Sequence, residues 1–255
     1  MRGLPSSRLL YGSLLGLFLL WPADGPAQAP AAPTVSIVID DLGHNLREDR
    51  RAIALPAAVS VAILPHTDRS TKLAQEAHRA GKEILLHLPM DPDDEMHAHA
   101  GPGRIEIHMS APEIAAMFAY DLQTVPHAVG VNNHMGSRLT QNAASMQALM
   151  RAIRAHGKLF FLDSVTSPNS VAARVAIENG VPALRRDIFL DNERSEKTVT
   201  ENLQRLEALA TRGRAIAIGH PYPETLAALE RWLPQAQARG IRVVPLATML
   251  KNKRD

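Results

Sequence analysis

One stretch constrains this chain more than any other: Val35-Ser36-Ile37-Val38-Ile39, followed at once by Asp40-Asp41-Leu42-Gly43-His44. The β-branched run is too short for a favoured helix and reads as a buried strand. It delivers two adjacent carboxylates at its end, where Gly43 turns the chain. Two ionisable groups at the mouth of a buried strand are costly unless something pairs with them. Taken alone, the pair reads either as a cap on loop amides or as part of a site.

The same punctuation recurs along the chain. Residues 58–64, 83–88, 127–131, 158–162, 184–190 and 215–218 read as strands, with a short one at 243–244. Between them lie helical patterns over about 45–55, 70–80, 110–122, 142–156, 168–179, 198–210 and 223–239, and a last short helix. Ser110–Glu113 and Thr198–Glu201 have the spacing of capping boxes, and Pro168 suits a first helical position. Pro89 is expected to stop the third strand. Strands alternating with helices predict a parallel sheet, and about seven or eight such units favour an α/β fold of the (β/α) barrel type.

Composition narrows the function. At 255 residues the chain can bury one substantial core. Its 28 basic and 26 acidic residues nearly balance, with no basic block outside the extreme C-terminus, so nucleic acid is not an expected partner. There is no cysteine, so a metal site must draw on His, Asp, Glu or Asn. Arg2 and Arg8 precede an apolar run over 9–21, and Ala27-Gln28-Ala29 offers a cleavage site. Residues 1–29 are therefore expected to be a signal peptide, 30–34 a linker and 35–255 the domain. Export to the periplasm or cell envelope follows, with membrane contact only through the N-terminal segment if it stays uncleaved.

Parallel α/β folds gather their active sites at the carboxyl ends of the strands. Here those ends read Asp40-Asp41, His66, His87, Asn132-Asn133-His134, Asp163-Ser164, Asp187 and His220. Imidazoles with a carboxylate and no thiol make a ligand set for a catalytic divalent metal, zinc first among the candidates. His87 and His134 follow their strands without slack and are the expected ligands. Neighbouring strand residues point to opposite faces, so one of Asp40 and Asp41 can bind metal while the other serves as base. His220 is the natural general acid, and Asp163 could hold its tautomer. His97 and His99 lie in an acidic stretch read as an exposed loop. Tyr222 is the candidate to stack on a sugar.

Several runs together resemble the divergent polysaccharide deacetylase family, a branch of the NodB-type carbohydrate esterases. They are residues 35–43, His87-Leu88-Pro89-Met90, residues 130–137, Phe161-Leu162-Asp163-Ser164 and residues 215–221. The resemblance implies a distorted (β/α) barrel of about seven strands and a metal-dependent deacetylase site. It implies Asp40 as base, Asp41 as metal ligand, His220 as acid and Asp163 as the partner of that acid. Two departures stand out. Asp91 occupies the place of a second histidine after His87, which leaves His134 to supply the missing imidazole and Asp91 either to add a ligand or to begin the loop. The usual arginine run is absent, and Arg138 or Arg186 takes its place. Asn132, Asn133, Arg186 and Tyr222 are then the expected substrate contacts. The expected activity is removal of an N-acetyl or related acyl group from an acetylated polysaccharide or peptidoglycan-like substrate. The alternatives are a non-catalytic envelope protein on the same scaffold and a metallo-amidase.

Overall fold

The computed structural model describes Met1 and residues 32–93 and 100–251. The expected signal peptide and the His97/His99 loop tip lie outside the described residues. The elements run β1 (Thr34–Leu42), α1 (Leu46–Ala54), β2 (Ser60–Ile63), α2 (Ser70–Arg79), β3 (Ile84–Met90), α3 (Ala111–Thr124) and β4 (Gly130–Met135). They continue α4 (Ala143–His156), β5 (Phe160–Asp163), α5 (Ala172–Glu178), β6 (Ala183–Arg185), β7 (Ile188–Phe189) and α6 (Glu196–Ala210). Last come β8 (Arg214–Gly219), α7 (Pro223–Ala238), β9 (Arg242–Val243) and α8 (Leu246–Lys251). Among the described residues no helix is long and apolar enough to cross a membrane.

All strand pairs are parallel, in the order β6-β5-β4-β3-β2-β1-β8-β7, with β9 also pairing with β1. The two ends of that order, β6 and β7, are joined by Arg186 and Asp187 alone. Three Cα steps span at most ~11 Å, so the sheet has to curl until its ends nearly meet. The connector itself bridges the gap. Arg186 N–H donates to Asp163 O on β5, and Asp187 N–H donates to Ile216 O on β8. The Asp187 carboxylate accepts the Ile216 N–H in turn, at 2.7 Å. The expected distorted barrel is therefore present, with its seam where the sequence interrupts a strand by Arg185-Arg186-Asp187.

Strand alternation divides the apolar residues into two layers. Val38, Ala62, Leu85, Phe160, Leu162, Leu184, Ile216 and Ile218 fill the barrel interior, together with Leu246 and Met249 from α8. Their sequence neighbours, Ile37, Ile39, Leu86, Phe161 and Ala217 among them, pack outward beneath the helices. Glu83 holds α8 in place by accepting the N–H groups of Leu246 (2.7 Å) and Ala247 (3.0 Å), two of the donors a helix start leaves unpaired. Buried Gly130 has no room for a side chain, because a Cβ there would sit 2.6 Å from the Phe160 ring.

Several boundaries differ from expectation. β1 takes in Thr34 from the expected linker, since that residue pairs with Arg214 and Arg242. β3 continues through Pro89 to Met90. Its pairing with β2 ends at Leu86, so the missing proline N–H falls on a local edge, which Ile105 covers. β4 begins later than expected and takes Asn132, Asn133 and His134 into the strand. The Ser110–Glu113 capping box is present. α6 instead starts on Ser195, whose side chain accepts from Thr198 N–H, and α5 starts at Ala172, beyond Pro168.

Candidate active site

The interior alternation carries the chemistry to the carboxyl ends of the strands. Asp40 follows Val38 on the inward face, His87 follows Leu85, Ser164 follows Leu162, and His220 follows Ile218. Asn132 and His134 share one face of β4. Asp41 would by the same rule turn outward. It adopts φ +59°, and the β1–β2 register slips between Ile39 and Leu42. A bulge of this kind re-aims a side chain, and here both carboxylates serve the same cavity. Met135 and Val165 also take positive φ at neighbouring strand ends. Such strain in a β-branched residue persists only where surrounding contacts impose it.

Three donor atoms converge at the centre. Asp41 Oδ1 lies 3.0 Å from His87 Nε2 and 2.9 Å from His134 Nδ1, and the two ring nitrogens are 3.1 Å apart. Asp41 Oδ1 is buried yet accepts no hydrogen bond of good geometry. Burial opposes ionisation of Asp41, but the imidazoles of His134 and His87 outweigh it and hold its carboxyl well below the ordinary range.

Asn132 fixes the tautomer of His87. Its Nδ2 lies 3.0 Å from both Asp40 oxygens, which only accept, so its Oδ1 faces His87 Nδ1 at 2.9 Å. His87 Nδ1 must then carry the proton, leaving a lone pair on Nε2 aimed at the cluster. Two imidazole nitrogens and an orphaned buried carboxylate oxygen, mutually about 3 Å apart, suit a divalent cation with N/O preference. Asp41, His87 and His134 are the residues that could hold it.

Two ionisable groups flank this triad. Asp40 is 1% exposed. Burial raises its carboxyl above the ordinary range, against the charges of His87 and His220. His220 Nε2 lies 3.8 Å from Asp41 Oδ2. Burial would lower the His220 imidazole, but Asp191, bound to Nδ1 at 2.8 Å, raises it to about 9. Asp191 also accepts the His220 N–H (2.6 Å) and the Thr225 hydroxyl (2.7 Å).

The partner expected for His220 was Asp163, and the structure assigns that place to Asp191. Asp163 shares the outward parity of Phe161 on β5 and accepts from Ser170 Oγ (2.8 Å) and Val165 N–H (2.9 Å). β5 is also not a neighbour of β8. Asp191 directly follows Leu190, the last residue of the expected sixth strand. Applying the strand-end rule there, rather than at Asp187, would have found it.

The expected substrate contacts need correction too. Asn132 and Asn133 are 0% and 1% exposed. Asn132 is spent on Asp40 and His87. Asn133 accepts from Ser164 N–H (2.9 Å) and donates to Met135 O (2.8 Å), tying β4 to β5. Arg186 donates to the carbonyls of Ser164 (2.6 Å) and Val165 (2.9 Å) and lies over the Phe189 ring, so it clamps the turn after β5. Tyr222 stacks on His220 with centroids 5.4 Å apart and accepts a hydrogen bond from Arg194. Of the other strand-end groups, His66 turns away to Asp121 at 2.7 Å, and His44 is exposed beyond Gly43.

The sequence model of one family, the divergent polysaccharide deacetylases, matches residues 37–250. The chain belongs to that family. The matched region contains every residue of the triad and both flanking groups. An uncharacterized protein of Escherichia coli K12, YibQ, is 40% identical over 201 residues, covering 78% of this chain and 62% of that protein. The match thus spans under two thirds of that relative's length. An uncharacterized protein of Haemophilus influenzae Rd is 37% identical over 228 residues, covering 88% of this chain and 79% of that one. Among solved structures, the uncharacterized protein ATU2773 of Agrobacterium tumefaciens C58 superposes with a TM-score of 0.80 at 27% identity, over 88% of this chain and 92% of that one.

The question left open at Asp91 has an answer in the fold. Asp91 is buried, its N–H donates to Ile105 O, and its carboxylate lies 3.4 Å from Ile107 N–H and 3.8 Å from Arg104 Nε. It starts the loop and stands outside the donor triad. His134 is the second imidazole beside Asp41. Of the two candidates for the missing arginine, Arg186 clamps the turn after β5, and Arg138 donates its backbone N–H to Asp91 O.

Proposed function

We propose that the protein is an exported, metal-dependent hydrolase that removes an N-acetyl group from an amino-sugar polymer or oligomer of the cell envelope. One observation carries this reading: the Asp41–His87–His134 triad lies between a buried carboxylate, Asp40, and an imidazole, His220, that is raised to about 9. Membership of the family supports the substrate class. The apolar N-terminal run supports export to the periplasm or cell envelope.

Asp41, His87 and His134 would hold the ion, with zinc suited to the donor set. When bound, a divalent ion supplies positive charge that polarises the amide carbonyl and acidifies the attacking water. Asp40 accepts the proton of that water, with Asn132 holding its carboxylate in register. His220, kept protonated by Asp191, gives its Nε2 proton to the departing amine. The products are acetate and a free amino group, and the sugar chain stays intact.

The test uses purified protein loaded with zinc, together with N-acetylglucosamine oligomers and peptidoglycan fragments. Acetate release is expected, with Asp40→Asn slowing it about 10²- to 10⁴-fold while zinc stays bound. His87→Ala and His134→Ala are expected to lose the metal as well. A zinc-loaded protein that frees no acetate from either substrate class would overturn the reading.

A further inference from the structure

A run of ring contacts leads from His220, itself stacked on Phe189, to the exposed Arg194. The Tyr222 ring stacks on His220, and the Arg194 guanidinium carbon lies 3.8 Å from the centre of the Tyr222 ring. Arg194 also donates to the Tyr222 hydroxyl at 2.8 Å. Arg194 is exposed, yet these two contacts hold it. An unrestrained arginine loses rotamer freedom on engaging a ligand, and part of that loss is already met here.

The same short segment anchors the acid, because Asp191 binds His220 three residues before Arg194. Among the described residues no carboxylate lies within ion-pair distance of Arg194. The neighbouring acids are engaged elsewhere, Glu193 with the Thr198 hydroxyl and Glu196 with Arg231. Among the described residues the guanidinium therefore keeps N–H donors without a partner, beside a phenol whose O–H donates to none of them. A planar fork held in place with unused donors matches the geometry of a carboxylate.

We propose that Arg194 and Tyr222 form an anion subsite that selects acylated amino sugars bearing a carboxylate, on the reacting sugar or the next one. The subsite rests on the deacylase reading for its location, since it lies two stacked layers from His220. It makes the preferred substrate acidic rather than neutral.

The experiment is equilibrium binding by calorimetry to the zinc-loaded full chain. The ligands are a neutral N-acetylglucosamine oligomer, the matched oligomer with lactyl-ether carboxylates on alternate sugars, and the methyl amide of that acid. The wild type is expected to bind the acid about tenfold more tightly than its amide, as charge-assisted hydrogen bonds at a partly exposed site allow. That ratio is expected to shrink with added salt and to fall toward one in Arg194→Gln, whose exposed position leaves folding intact. Equal affinity for acid and amide in the wild type, or an unchanged ratio in Arg194→Gln, overturns the subsite. Binding is read without turnover, so the two proposals fail separately. A clear acid preference with no acetate released sinks only the deacetylase reading. Acetate released equally well from acid and amide, with no difference in binding, sinks only the subsite.

Discussion

At the scale of single residues, Asn132 joins the two halves of the site. Its carbonyl fixes the proton of His87 on Nδ1, and its amide steadies Asp40. Outer partners of metal ligands are worth about 10- to 100-fold in affinity, so Asn132→Ala should weaken zinc binding by that much in a competitive chelator titration. Unchanged affinity would show that the His87 tautomer is set by something else. Asp191 acts in the same way on His220. In the metal-free protein the imidazole is raised to about 9, because Asp191 and the carboxylates beyond it outweigh burial. Asp191→Asn should move the His220 titration to lower pH, followed by its ring-proton NMR signals. A midpoint still near 9 would remove Asp191 from that role.

At the scale of elements, the site depends on how neighbouring strands are spaced and fastened. The Phe160 ring of β5 lies over its β4 neighbour because residue 130 is glycine, where a Cβ would meet that ring at 2.6 Å. Gly130→Ala should therefore destabilise the fold by about 1–3 kcal/mol through overpacking, measured by urea unfolding. A wild-type midpoint would mean that the ring moves aside freely. α3 is tied to the turn after β2 by Asp121, whose Oδ1 meets His66 Nε2 at 2.7 Å and whose Oδ2 is buried without a partner. Burial pushes the Asp121 carboxyl up to about 8. A carboxyl raised on folding contributes stability that is fully present below its unfolded pKa and lost as pH rises through about 8. Asp121→Asn keeps an amide there without a titrating proton. Its Tm relative to wild type should rise between about pH 4 and pH 8, and a constant difference across that range would contradict the assignment.

At the scale of the whole molecule, the barrel brings the end of β1 to the ends of β3, β4 and β8, so ligand binding and folding are linked. An ion held by Asp41, His87 and His134 exists only in the native state. Zinc at a hundredfold above its Kd should add about 2.7 kcal/mol to stability. The rise in Tm should vanish in His87→Ala, whereas an equal rise there would place the ion elsewhere.

The strands, their parallel arrangement and most of the chemical groups were legible in local sequence. Near-continuous apolar runs such as residues 35–39 and 215–218 must bury both faces, and residues that end such runs must sit at one rim. Local pattern therefore pointed to Asp40, Asp41, His87, His134 and His220, which the fold does bring together. It did not say which polar residue at the rim faces inward. Asn132 and Asn133 read alike in sequence, yet they end on opposite sides of β4, and Asp163 faces the helices because its strand alternates from Phe161. Nor could pattern reveal that 184–190 is two strands on either side of a seam, which is what carries Asp191 to His220. Side-chain direction, strand order and curl depend on pairing between distant segments. Those pairings made Asn132 a support rather than a substrate contact, gave His220 its partner, and turned Asp41 through a strained φ into the same cavity as Asp40.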